Sequence, residues 1–296
     1  MDFYLNLINT IGIHTMLGLS AYILLQTGQL SLAQAGFFAV GSYTAAILTV
    51  IFQWNILPAV LAAMLLSGCL AFLVGFPALR VKGLMLVVAT IAFSEFVRMF
   101  FYNLKWRVSR EGEEIGPDGT MGFAEIRYFS DNGWSNLEVT LFLWTFVIIV
   151  MGIVWWSDNS RSGAVLRAVG QDELAASSVG INLTVIKVSA MTAGGFIAGL
   201  SGGLYAHQVT SLDHHSFTVL LGTFAIAYPI LGGLSNVFGT LVAVIFIQGL
   251  LVEGLRFLGD WRMILFGLLI VLAMNFKPRG LFDQQTIGII KRLIKV

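Results

Sequence analysis

Charge is scarce in this chain. Only 11% of its residues are Asp, Glu, Lys or Arg, less than half of the roughly 25% that a water-soluble domain carries. That excludes an ordinary soluble core, and the net charge of +1 carries no information until it is resolved along the chain. Cysteine occurs once, as Cys69 in an apolar stretch, which excludes an intramolecular disulfide and a cysteine-built metal site. There is no GxxxxGK[ST] phosphate loop, so the chain lacks the usual means of holding ATP. Met1 and Asp2 provide no basic run and no small-residue cleavage site follows, so no cleavable leader is expected. No nucleic-acid partner is expected either.

What is abundant is apolar surface: 57% of residues are hydrophobic and the mean hydropathy is +0.85. A membrane helix needs about 20 mostly apolar residues. Such stretches fall at 4–26, 30–52, 55–79, 84–104, 138–156, 184–207, 216–231, 236–254 and 262–276. The reading is a single all-α polytopic membrane domain over 1–296, with about nine spans (eight to ten), some of them short or broken. Lys and Arg accumulate in cytoplasmic loops. With the N-terminus outside, ten basic residues fall inside, among them Arg80, Lys82, Arg161, Arg167 and Lys187, against six outside. The outside six sit mostly beside acids such as Glu111, Glu113, Glu114 and Asp118. The expected topology therefore has an external N-terminus, a cytoplasmic C-terminus, an external loop at 105–137 and a cytoplasmic loop at 157–183. The tail IGIIKRLIKV (287–296) reads as an interfacial anchor on anionic lipid.

One stretch resists the lipid environment. GQLSLAQAGFFAVG (28–41) carries Gln29, Ser31, Gln34 and three glycines inside a span. Ser31, Ala35 and Ala39 recur every four residues and would let helix backbones approach closely. The two amides cannot face lipid cheaply, so they face protein or a water-filled cavity. Glycine-interrupted spans also mark discontinuous helices beside transport paths. Tight packing and a broken pathway-lining helix both fit, and Gly36 and Gly41 would let that wall bend. A second polar break, GGLSNVFGT (232–240), gives a faint trace of an internal repeat. In the fourth span, Glu95 and Arg98 are three residues apart, on one helix face within pairing reach. They form either a structural ion pair locking two helices or part of the pathway, since unpaired charges there are costly. Asp213, His214 and His215 fall in a short outer loop and read as solvated residues rather than a metal site.

The cytoplasmic loop can form a short amphipathic helix from Gln171 to Val179. Asp172 and Glu173 suit its positive N-terminal end, and Gly180 and Asn182 tolerate the left-handed conformation that ends helices. Such a helix between two spans is a docking element for another protein.

Glu173, Leu174, Ala175 and Ala176, with Gly180 four residues on, resemble the coupling-helix motif of ABC importer permeases. More closely, the chain resembles the LivM-type permeases of the branched-chain amino-acid family. The likeness is carried by GQLSLAQAGFFAVGSYTA (28–45), RVKG (80–83), SEFVR (94–98), RAVGQDELAASSVGIN (167–182), AGGFIAGLSGGLYA (193–206), LGGLSNVFGTLVA (231–243) and NFKPRGLF (275–282). Departures fall at Leu84-Met85 and in the run from Glu114 to Gly119.

The resemblance implies one of two permease chains, paired with a homologous partner, two cytoplasmic ATPases and a periplasmic binding protein. ATP and Mg²⁺ would bind the ATPases, with no cofactor, metal or catalytic residue on this chain. Coupling would rest on Asp172, Glu173, Ala175, Ala176 and Gly180. Gln29, Ser31, Gln34, Gly36, Gly41, Glu95 and Arg98 would serve the pathway or helix packing. The movement of the docked helix would pass to the fifth and sixth spans, which flank the loop. Three other readings stay open: import of urea, short amides or other amino-acid-like molecules; an ion-coupled secondary transporter using Glu95 and Arg98; and a membrane scaffold without a pathway.

Overall fold

The computed structural model describes residues 2–78, 81, 83–110, 113–254, 259 and 261–276. Arg80, Lys82, the run from 277 and the tail at 287–296 lie outside the described residues. In chain order the helices are α1 (Asp2–Gln26), α2 (Gln34–Val50), α3 (Ile56–Ala78), α4 (Leu84–Asn103), α5 (Tyr128–Asp131), α6 (Asn136–Asp158), α7 (Arg161–Gln171), α8 (Glu173–Ser178), α9 (Leu183–Val209), α10 (Val219–Gly232), α11 (Val237–Val244) and α12 (Trp261–Phe276). A π-helical stretch, Ile245–Gly254, continues α11.

The organising element is α9, which packs against α1, α2 and α3. Its composition explains why: in lipid, helix association depends on close backbone approach rather than on expulsion of water. The run AGGFIAGLSGGLYA places glycines where neighbours cross. A β-carbon on Gly41 of α2 would lie 2.6 Å from the Gly199 α-carbon, an impossible contact. Ser42 of α2 donates to the Gly202 carbonyl at 2.9 Å, and Ser67 of α3 donates to the Phe37 carbonyl of α2 at 3.0 Å. Around this centre, α3, α4 and α6 turn large apolar side chains outward, including Leu73, Phe96 and Ile148. These are surfaces for lipid or for another membrane chain.

α6 begins on a capping box. Ser135 accepts from the Glu138 amide, and the Glu138 carboxylate reaches back to the Ser135 amide at 2.7 Å. Its two ends define two opposite faces of the bundle. One carries α7, α8, the C-terminus of α1 and the N-terminus of α9. The other carries residues 105–137, which depart from the all-α expectation. There β1 (Val108–Arg110) and β2 (Glu113–Ile115) pair antiparallel, with Val108 opposite Ile115. A two-bond bridge between Phe123 and Leu212 ties this hairpin face to the α9–α10 loop.

Helix length does not establish the expected nine spans. Among the described residues, five helices are long and apolar enough to cross a membrane: α1, α3, α4, α6 and α9. The second expected span begins only at Gln34, because residues 27–33 are not helical. The seventh and eighth form one pair bent by 119°. With 14 residues, α10 is about 21 Å long, short of the ~30 Å hydrocarbon core. By length and composition the pair fits a broken span or a re-entrant loop.

Candidate functional site

The α7–α8 element is built from local signals. Asp172 leaves helical geometry, ending α7, and its Oδ1 accepts from the amides of Leu174 and Ala175 at 2.9 and 3.0 Å. It is thus the N-cap of α8. At the other end the Ile181 amide bonds to the Ala176 carbonyl and the Gly180 amide to that of Ser177, with Gly180 at φ +87°. This paired closure requires a left-handed residue, and glycine is the one without a steric penalty. Asn182 does not share in that ending, as the sequence suggested. It is extended and caps α9 instead, its Oδ1 accepting from the Val185 amide at 3.2 Å.

Ala176 is buried beneath α8, while Ala175 faces out. Glu173 bonds the Lys187 ammonium of α9 at 2.5 Å. Leu174 is 82% exposed and Val179 76% exposed. A six-residue helix is therefore clamped at both ends and tied to α9, and it presents apolar side chains that no described residue covers.

Its base is wired to the centre by a residue the sequence reading missed. Asp158, at the C-terminus of α6, pairs with Arg167 of α7. It also accepts from Gln26 Nε2 at 2.7 Å and from the Tyr22 hydroxyl at 3.1 Å, both on α1. The same hydroxyl lies 3.2 Å from the Leu234 carbonyl in the second break. Beside this hub, a β-carbon on Gly170 of α7 would collide with the Gln26 carbonyl and would lie 3.1 Å from the Gly28 amide. The base of α7 therefore rests directly on the start of the polar stretch.

That stretch is non-helical from residue 27 to 33: a turn at Thr27 and Gly28 leads into an irregular run in which Gln29, Ser31 and Ala33 are buried while Gly28 and Leu30 are exposed. Gly36 and Gly41 sit inside the regular α2: Gly36 faces Phe93 and Ser94 of α4, and Gly41 faces Gly199. They permit close approach within an uninterrupted helix. Unwound backbone away from water must find partners within the protein. Here α4 supplies them: Thr90 Oγ1 accepts from the Leu32 amide at 3.1 Å, and Ser94 Oγ donates to the Leu32 carbonyl at 2.8 Å. Ser31 Oγ accepts from the Ala33 amide at 3.3 Å. Ser20 of α1 donates to Gln34 Oε1 at 3.1 Å. The Nε2 groups of Gln29 and Gln34 are buried without a hydrogen-bond partner.

Glu95 and Arg98 form an ion pair at 2.7 Å within α4, so the pair does not itself join two helices. Near them, on the hairpin face, His214 is buried against Tyr102, contrary to the expectation of a solvated loop. Burial, then the charge of His215, pushes the His214 imidazole below its ordinary value; Asp213 opposes this and Arg98 adds to it. A recess of about 520 Å³ on the same face is lined by Gln53, Glu125, Arg127 and Asp131 among others. A further buried cluster also went unread in the sequence. Tyr228 of α10 bonds His14 of α1 at 2.8 Å and accepts from Gln248 of the π-helical stretch at 2.7 Å. The available signal was a histidine alone in an apolar helix.

The comparisons agree with this architecture. Residues 3–274 match the family described as "Branched-chain amino acid transport system / permease component". The chain is 30% identical, over 93% of its length and 67% of the relative's, to the "High-affinity branched-chain amino acid transport system permease protein LivM" of Salmonella typhimurium. The protein of the same name from Escherichia coli is 29% identical over the same shares. A "Fructose import permease protein FrcC" of Rhizobium meliloti is 27% identical over 50% of this chain and 44% of that protein. No solved structure matches. The family match runs through both breaks and the clamped α7–α8 element, and it makes this chain a member of the branched-chain amino-acid permease family, a transport component of the membrane.

Proposed function

We propose that this chain is one of the two permease subunits of an ATP-driven importer that moves branched-chain or related amino acids into the cytoplasm. A periplasmic binding protein would deliver the substrate to the hairpin face, where the recess bounded by Gln53 and Arg127 offers a contact. Two cytoplasmic ATPases would dock on α8, and a second, homologous permease would complete the pathway. The N-terminus would be external and the C-terminus cytoplasmic.

The observation that carries this reading is α8: capped by Asp172, closed at Gly180 and exposing Leu174 and Val179. Such a rigid unit passes on motion as a body, between two discrete arrangements. Movement of α8 reaches α9 through Glu173 and Lys187. Through α7 it reaches the Gly28 end of the non-helical stretch. From there the contacts with Thr90 and Ser94 lead to α4, which carries Glu95 and Arg98. The expected coupling route through α6 and α9 thus gains a third branch, through α1 and residues 27–33. Gln29, Ser31 and Gln34 are proposed to meet substrate when that stretch shifts.

The test is reconstitution in liposomes with the partner chains. Gly180→Leu and Glu173→Arg are expected to leave insertion and ATP hydrolysis in place while cutting uptake at least tenfold. Normal uptake in both variants overturns the coupling assignment. Uptake by this chain alone, with no second protein, overturns the importer reading altogether. The partial likeness to a fructose import permease supports a second substrate reading, a sugar. Competition of leucine uptake by excess fructose, compared with excess isoleucine, separates the two.

A further inference from the structure

We propose that Asp213, His214 and His215 form a binding site for a divalent transition metal, with Zn²⁺ as the best-suited ion, on the loop between α9 and α10. The ligand atoms these three side chains offer all lie within 4.8 Å of one another. Imidazole nitrogens with one carboxylate oxygen suit Zn²⁺ and neighbouring first-row ions, and discriminate against Mg²⁺ and Ca²⁺.

The loop is held on both sides of the cluster. Leu212, immediately before it, is locked to Phe123 by two hydrogen bonds of 2.8 Å. Phe217, just after it, is buried against Phe38 and Tyr43. Between them the Asp213 carboxylate accepts from the His215 amide at 3.1 Å, which fixes the turn that brings the two imidazoles together. Their ring centroids are 4.0 Å apart.

The second observation is an unfilled valence. His214 is 5% exposed, and its Nδ1 has no hydrogen-bond partner. Asp213 Oδ1 lies 3.0 Å away but outside the direction of a hydrogen bond. Buried polar atoms without partners are rare and point to an occupant. A metal between Nδ1 and the carboxylate would satisfy both.

Tetrahedral Zn²⁺ with bonds near 2.0–2.1 Å sets donors about 3.4 Å apart. Closing the cluster therefore takes a movement of about 1–1.5 Å, which the exposed side chains of Asp213 and His215 can make around the fixed His214. Arg98 is the opposing charge within electrostatic reach, and Glu95 neutralises it at 2.7 Å. Two protein nitrogens and one oxygen leave at least one coordination position for water.

The described residues offer no competing cluster of three ligands. The other two histidines are engaged: His14 with Tyr228, and His207 with Gly203 and Thr49. A titration of the whole chain is therefore interpretable, provided no polyhistidine tag is present. Full-length chain in detergent, stripped with a chelator, is titrated calorimetrically with ZnCl₂ and in parallel with MgCl₂. Saturable Zn²⁺ binding at one ion per chain with micromolar affinity is expected, with no Mg²⁺ signal. His215→Ala removes an exposed ligand, so it is expected to keep its metal-free Tm and to lose at least about tenfold in Zn²⁺ affinity. Zn²⁺ should raise the Tm of the parent chain and not that of the variant. Absence of saturable Zn²⁺ binding, equal binding of Mg²⁺, or unchanged affinity in His215→Ala each overturns the site.

Discussion

The two interruptions in the helical framework look alike in sequence and are closed in opposite ways. Both read as glycine followed by Leu-Ser and small residues. Residues 27–33 are non-helical: the amides of Thr27, Gly28 and Gln29 close onto the end of α1, and α4 completes both backbone bonds of Leu32 through Thr90 and Ser94. Residues 233–236 make a tight reversal of 119°. There the Gly232 and Gly239 backbones touch, and Asn236 caps α11 through the Phe238 amide at 3.0 Å. At its centre, Leu32, the first break depends on another helix for both backbone groups, whereas the second is satisfied from within apart from the Leu234 carbonyl, which Tyr22 reaches. A segment satisfied by its neighbours moves when they move. A self-satisfied turn travels as a unit. That difference makes the first break the better candidate for transmission, and it argues against reading the pair as two copies of one device.

Asp158 is where the two breaks meet. Its side chain is 12% exposed and holds Tyr22, Gln26 and Arg167 together, and Tyr22 also reaches Leu234. Asp158→Ala leaves buried donors without an acceptor, at a cost of about 2–3 kcal/mol. The largest effect is therefore expected here: a clear fall in the Tm of the detergent-solubilised chain, together with loss of most uptake. Asp158→Asn keeps an acceptor for Gln26 and should retain part of both. If Asp158→Ala left Tm and uptake intact, the two breaks would not be joined through this residue, and the comparison would lose its hinge.

This hub also shows what sequence could and could not reveal. Asp172 and Gly180 were legible because a helix cap acts within three or four residues. The polar stretch was legible as an anomaly, since amides in an apolar run need an explanation. Its boundary was not, because whether residues 28–33 are helical depends on hydroxyls of α4 some 60 positions away (58 for Thr90, 62 for Ser94). Asp158 left no trace at all: its α1 partners are 132 and 136 residues distant, and a lone acid at a helix end is ordinary. Asn182 was assigned to the wrong helix because the residue that suits a C-terminal exit also suits an N-cap. The bent pair was counted as two spans because hydropathy records length and apolarity, not direction.

A finer test separates dependence on neighbours from self-sufficiency. Thr90→Val keeps the shape but removes the acceptor for the Leu32 amide, and Ser94→Ala removes the donor to the Leu32 carbonyl. Each is expected to cost about 1–2 kcal/mol. Because both act on one residue, the double variant should be non-additive. Uptake per ATP hydrolysed should fall in each. Strict additivity in Tm, with an unchanged transport ratio, would mean that α4 is a bystander to residues 27–33.

The smallest effect belongs to the second break. Asn236→Ala removes one cap from α11, worth about 1 kcal/mol, and touches none of the contacts that lead from α8 inward. Tm should fall slightly while uptake per ATP stays at the parent value. This is the opposite pattern to Thr90→Val, in which a comparable loss of stability is expected to carry a loss of coupling. Matched destabilisation with divergent transport is what a division of labour between the two breaks requires. If Asn236→Ala uncoupled transport as strongly as Thr90→Val, both breaks would have to be treated as moving parts, and self-satisfaction of the backbone would not mark the static one.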